Sequence, residues 1–185
     1  MKRDYMINKP YVHSNYERIK DDDYKTIDPR CVQALLESCP IIRGKIVDPC
    51  SPSGSGIVRR LSELGCVAEG LSDAFLPTKD VDWIITNPPY KKNIVDEILW
   101  HQIHRLEDEN VFGVAALLRN NFDFAKTRWD MFNSLWYFGQ VHMMFRPRWI
   151  EGEQKHSPIH NFVWHIWKAR SLISAPIVLY WKESK

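Results

Sequence analysis

The chain has 185 residues, enough for one domain around a single core, and its 44% hydrophobic content suits a globular fold. A formal charge of +2 is too small to diagnose nucleic-acid binding, no apolar run is long enough to span a bilayer, and the polar residues after Met1 are not the apolar core of a signal peptide. The expected setting is therefore the cytoplasm, with no membrane partner.

Residues 1–23 are polar, end in Asp21-Asp22-Asp23, and read as an N-terminal arm before a single domain over 24–185. Asp28 is expected to cap a helix opened by Pro29, with Val32, Leu35 and Leu36 as its apolar stripe and Cys39-Pro40 as its stop. Residues 45–47 form a short buried strand, followed by a Ser/Pro/Gly loop over 49–56, a helix over 57–64 closed by Gly65, and a second strand over 66–68. A third strand over 81–86 runs into Asn87-Pro88-Pro89-Tyr90. An amphipathic helix over 93–106 follows, carrying Ile94, Ile98, Ile103 and Leu106 on one side. The fully apolar run 111–118 is a strand for the middle of a sheet covered on both faces. Residues 128–135 suggest a helix, 140–145 and 161–167 strands, and 177–181 a last edge strand. Alternating strands and helices predict an α/β domain with a mostly parallel central sheet flanked by helices. Ligands of such sheets sit beyond the carboxyl ends of the strands.

Two loops at such ends carry chemistry. In Asn87-Pro88-Pro89-Tyr90 the two prolines fix two φ angles and remove two backbone donors, which leaves carbonyls to accept from something else. Asn87 adds an amide oxygen and Tyr90 an aromatic face, so the loop suits a planar group bearing an exocyclic NH2. Accepting both N–H bonds would aim the nitrogen lone pair at an electrophile. The earlier loop, Asp48-Pro49-Cys50-Ser51-Pro52-Ser53-Gly54-Ser55-Gly56, joins a strand to a helix start that points N–H groups at an anionic ligand. Asp48, at the strand end, can pair with an ammonium.

In that order, the two loops resemble those of the amino-methyltransferase family of the N-P-P-Y type, and most of all the small phage-type and bacterial DNA N6-adenine methyltransferases. The resemblance covers roughly residues 24–168 and implies a Rossmann-like fold that uses S-adenosylmethionine. By it, Tyr24 and Thr26 match the upstream element beside the methionine part of the cofactor, although Ile27 stands where proline is usual. Asp48, Pro49, Gly54 and Gly56 would hold that same part, Glu69 the ribose hydroxyls, and Asp73 and Phe75 the adenine. Asn87, Pro88, Pro89 and Tyr90 would be catalytic, with Asn87 also beside the cofactor. The loop from Asp48 is longer than the family's. The seven residues 66–72 between Gly65 and Asp73 are too few for the usual second strand, helix and third strand, which implies a trimmed cofactor wall.

Target contacts are expected from Tyr90, Lys91 and Arg119, and from Arg146, Arg148 and Trp149 in a second half rich in aromatic and basic residues. Trp136, Trp164 and Trp167 read instead as core. The pairs Lys91 with Lys92, Lys126 with Arg128, and Arg146 with Arg148 are candidate phosphate contacts or plain surface charge. No metal is expected: His101 with His104 and His156 with His160 lack nearby acidic or cysteine partners. The four cysteines have no C-x-x-C pair and read as separate thiols. The expected reaction is methyl transfer to an exocyclic amine, with adenine N6 in DNA the preferred target. An RNA base, a protein glutamine, or a non-catalytic binding module of the same fold are the alternatives. Without a separate target-recognition domain, readout would fall to loops, a homo-oligomer or a specificity partner.

Overall fold

The computed structural model describes residues 26, 28–51, 55–76, 78–91, 93–108, 111–149, 160–169 and 176–183. The expected N-terminal arm, Tyr24, Gly54, Lys92 and most of the segment 146–160 lie outside the described residues. Seven strands form one sheet: β1 (Lys45–Asp48), β2 (Val67–Gly70), β3 (Trp83–Thr86), β4 (Gly113–Arg119), β5 (Tyr137–Met143), β6 (Phe162–Lys168) and β7 (Ile177–Trp181). Their order is β2-β1-β3-β4-β6-β5-β7. Strand β6 runs against both its neighbours, and every other pair is parallel. This is the mostly parallel α/β sheet expected from the alternation in the sequence.

Helices α1 (Arg30–Ser38) and α2 (Gly56–Glu63) lie on one face and α3 (Ile94–Asp108) on the other. Alternate residues of each central strand therefore enter different cores. Ile46, Trp83, Ile85 and Leu117 meet α1 and α2, whereas Val47, Ile84, Val114, Ala116 and Leu118 meet α3. Burial on both faces explains why β3 and nearly all of β4 carry no exposed residue. Trp164 and Trp167 are core residues, and each indole N–H finds a carbonyl: Cys31 at 2.8 Å and Met131 at 3.0 Å.

Several boundaries differ from the sequence reading, each for a physical reason. Helix α1 opens at Arg30 with Pro29 before it, and Asp28 reaches over to accept the Arg30 N–H at 3.2 Å. Strand β5 starts earlier, at Tyr137, because a bulge at Tyr137/Gly139 absorbs the irregular residue. Gly139 takes a φ of +145°, and a Cβ there would sit 2.0 Å from the Ile177 carbonyl oxygen of β7. The helix expected over 128–135 is one turn only, α4 (Trp129–Phe132), preceded by two 3-10 turns. Only Met131 of that turn is fully buried, too little apolar surface to extend it. Arg128 is not a free phosphate contact: its guanidinium holds Asp96 of α3 at 2.6 Å and lies over the Phe122 ring at 3.6 Å.

Between β2 and β3 no helix or strand occurs among the described residues, so β2 is an edge. Strand β1 has β2 on one side and β3 on the other, so the chain's direction of travel across the sheet reverses between β1 and β3. In open α/β sheets that reversal opens a crevice beyond the strand ends. The loops after Asp48 and Thr86 flank it.

Candidate active site

Asp48 ends β1 and is 1% exposed. Its Oδ1 accepts the Cys50 N–H at 3.2 Å, while Oδ2 is buried without a hydrogen-bond partner. Burial raises the carboxyl pKa to about 6, with the Ser51 and Thr86 hydroxyls and the Cys50 N–H offsetting part of the rise. The Thr86 hydroxyl, at the end of β3, is likewise buried and lies close enough to favour the Asp48 carboxylate, although neither it nor Oδ2 closes a well-formed hydrogen bond. A hydroxyl and a carboxylate held this close satisfy each other only in part, and an ammonium with its three donors would complete both. In the sequence Thr86 reads only as the last residue of the third strand, with no role of its own.

Pro49 is buried behind Asp48, and the loop ends where Ser55 caps α2 through the Val58 N–H at 3.3 Å. Gly56 is the first helical residue, so the open N–H groups of α2 face the same end of the sheet. The ends of β1 and β2 are stitched by the Leu71 N–H to the Asp48 carbonyl at 2.9 Å. Glu69 lies on β2, one residue before its end, and is exposed. Asp73 accepts the Phe75 N–H at 2.9 Å, and the Phe75 ring, 48% exposed, meets the His101 ring at 5.3 Å. Thr26 is buried with an unpartnered hydroxyl.

The Asn87 loop follows β3 as the sequence indicates, with Asn87 and Pro88 buried and Pro89 and Tyr90 half-buried. Tyr90 is turned inward. Its hydroxyl lies between Asn87 Oδ1 and the Leu117 carbonyl, the latter at 3.0 Å. One O–H proton therefore serves two acceptors, and the amide oxygen expected to face a target amine is engaged by the chain itself. The Tyr90 ring packs on Phe162 at 5.5 Å, and Trp149 meets the other part of Phe162 at 4.8 Å. Phe162, absent from the sequence reading, thus joins the Asn87 loop to the 146–149 segment.

Arg119, at the end of β4, holds its guanidinium 5.6 Å from the Tyr90 ring centre, with Nε buried and unpartnered. Lys91 is exposed beside the loop, and Arg146 donates to Asn161 at 3.0 Å. The Arg148 side chain is exposed while its N–H anchors on Asp28 at 3.2 Å. Burial works to raise the Asp28 pKa, but the Arg30 guanidinium and the Arg148 and Arg30 N–H groups outweigh it and hold the carboxyl below its ordinary value. Asp28 thereby pins the 146–149 segment at this end of the sheet. Among the described residues no group of three His, Cys, Asp or Glu is placed to hold a metal ion, and no helix is long and apolar enough to cross a membrane.

No protein-family profile matches the chain, and no curated protein sequence matches it. Solved structures do. A protein from Listeria monocytogenes, provisionally described as a class I S-adenosylmethionine-dependent methyltransferase, aligns with a TM-score of 0.53 and 14% identity over 88% of this chain. The chain spans 66% of that protein's length. A provisionally assigned RNA methyltransferase from Pyrococcus horikoshii aligns at a TM-score of 0.47 and 13% identity, over 75% of this chain and 81% of that one. At such identities a likeness concerns architecture alone. The chain has the Rossmann-like α/β fold found in class I methyltransferases.

Proposed function

We propose that the chain is an S-adenosylmethionine-dependent methyltransferase that acts on an exocyclic amino nitrogen, with adenine N6 in DNA as its target. The observation that carries this reading is the fully buried Asp48 carboxylate beside the buried Thr86 hydroxyl, neither closing a well-formed hydrogen bond, with Asn87 the next residue, at the switch point of the sheet. These residues fit the cofactor: Asp48 and Thr86 would receive the ammonium, and the α2 start would face the carboxylate. Glu69 would take the ribose hydroxyls, and Asp73 and Phe75 the adenine. Bound there, the cofactor supplies an electrophilic methyl group on a sulfonium.

The chain's own part is to hold and orient the acceptor. Asn87 and the Pro88 carbonyl accept the two N–H bonds of the amine, which directs its lone pair away from them. Before that, the Tyr90 hydroxyl must leave Asn87 Oδ1. A flipped base that displaced it would gain the ring as a stacking surface, with Arg119 behind it. The surplus proton then leaves the nitrogen for solvent. Lys91, Arg146, Arg148 and Trp149 would contact the target strand; Trp149 meets Phe162, which packs on Tyr90.

The engaged Asn87 amide also favours a second reading, a non-catalytic member of the fold that binds cofactor or nucleic acid without transfer. Labelled-methyl transfer to duplex DNA, RNA and protein separates the two. Asn87→Ala should abolish transfer and leave cofactor binding intact; wild-type turnover in that variant would overturn the assignment. Cofactor binding without transfer to any of the three would favour the non-catalytic member.

A further inference from the structure

We infer that Gln102 and Arg105 of α3 are positioning residues for the adenine end of the cofactor site, acting through the loop between β2 and β3. The inference rests on the proposed cofactor. With β2 at the sheet edge and no regular element before β3 among the described residues, backbone pairing gives this loop little support. A buried polar relay holds it instead. Gln102, fully buried, donates from Nε2 to the Ala74 carbonyl at 2.6 Å. Its Oε1 accepts from Arg105 at 3.0 Å. Arg105, also buried, reaches on to the Thr78 carbonyl at 3.1 Å and the Thr78 hydroxyl at 2.6 Å.

Burying an amide and a guanidinium is unfavourable unless their donors are satisfied, and here they are satisfied by the loop. The anchored carbonyl belongs to the residue between Asp73 and Phe75, the two groups proposed for the adenine. The Asp73 carboxylate fixes the turn through the Phe75 N–H, and Phe75 rests on His101, directly before Gln102. Residues 101, 102 and 105 thus form one turn of helix that braces the ring and ties down the loop on both sides of it. The same helix begins just after Asn87-Pro88-Pro89-Tyr90, so one rigid element supports both halves of the proposed site.

Calorimetry on the whole chain tests this with two probes. S-adenosylhomocysteine carries adenosine and an amino-acid end; 5′-methylthioadenosine carries adenosine without that end. Gln102→Glu, ionised beside Arg105, keeps an acceptor for it but has no proton for Ala74. Thr78→Val removes only one acceptor on the loop side and serves should the first variant fail to fold. Gln102→Glu is expected to weaken both probes about tenfold and Thr78→Val both about threefold, as the loss of one buried hydrogen bond would. Asp48→Asn should weaken S-adenosylhomocysteine alone, a discrimination that general loosening of the fold does not produce. Wild-type affinities in both relay variants would overturn the inference and leave the cofactor reading standing. A wild type that binds neither probe would overturn the cofactor reading itself.

Discussion

Asp48 is where stability and the proposed cofactor binding oppose each other. An unfolded aspartate has a pKa of about 3.9, whereas burial raises that of folded Asp48 to about 6. Because the folded pKa is the higher, the group's favourable contribution is complete below about pH 4 and is lost as pH rises through about 6. Two pKa units correspond to about 3 kcal/mol. Asp48→Asn should therefore unfold at the same urea concentration as the parent near pH 4, yet be more stable by about 2–3 kcal/mol at pH 7.5. Parallel pH profiles for the two proteins would show that the carboxylate is not strained by burial. The same variant should lose affinity for S-adenosylhomocysteine, since a neutral amide cannot pair with an ammonium. Tyr90 invites a second residue-level test. Tyr90→Phe removes the donor shared by Asn87 Oδ1 and the Leu117 carbonyl, at an expected cost of about 1–2 kcal/mol by denaturant titration. Cofactor affinity should be unchanged, because the hydroxyl's partners, Asn87 Oδ1 and the Leu117 carbonyl, belong to the proposed amine side of the loop.

Among the elements, those with strong periodicity were legible from the amino acids alone. The unbroken apolar run of β4 reads as a strand buried on both faces, and the helix of α3 is where expected, although its core face runs through Val95 and Leu99 to Ile103 and Leu106 and not through Ile94 and Ile98. The failures are short or shallow elements. Strand β2 is an edge whose Val67 and Glu69 are exposed, so its hydrophobic signal is weak and its end was read too early. The segment after residue 128 has helix-forming residues but one buried anchor, and folds as a single turn. The site divides in the same way. Strand-end position is what singles out Asp48 and Asn87 as candidates, whereas the inward Tyr90, its Phe162 support and the Gln102–Arg105 relay depend on contacts between distant segments that no local pattern encodes. Strand β7 depends on one such contact. A methyl at Gly139 would strike the Ile177 backbone in a positive-φ conformation. Gly139→Ala should cost about 2–4 kcal/mol, and hydrogen exchange should show β7 losing protection first. Uniform protection across β5 and β7 in that variant would contradict the account.

For the molecule as a whole, fold and site belong to one argument. The strand order puts a reversal between β1 and β3, and the two loops whose residue types suggest cofactor and amine follow those two strands. Helix α3 joins the halves, and Asp28 draws the 146–149 segment to the same end of the sheet. The most direct test is the fate of a labelled methyl group offered as S-adenosylmethionine to the full chain with duplex DNA, followed by modified-base analysis. The account predicts label on the adenine amino group with the wild type and none with Asn87→Ala. Label on a ring nitrogen or carbon, or equal labelling by both proteins, would contradict it.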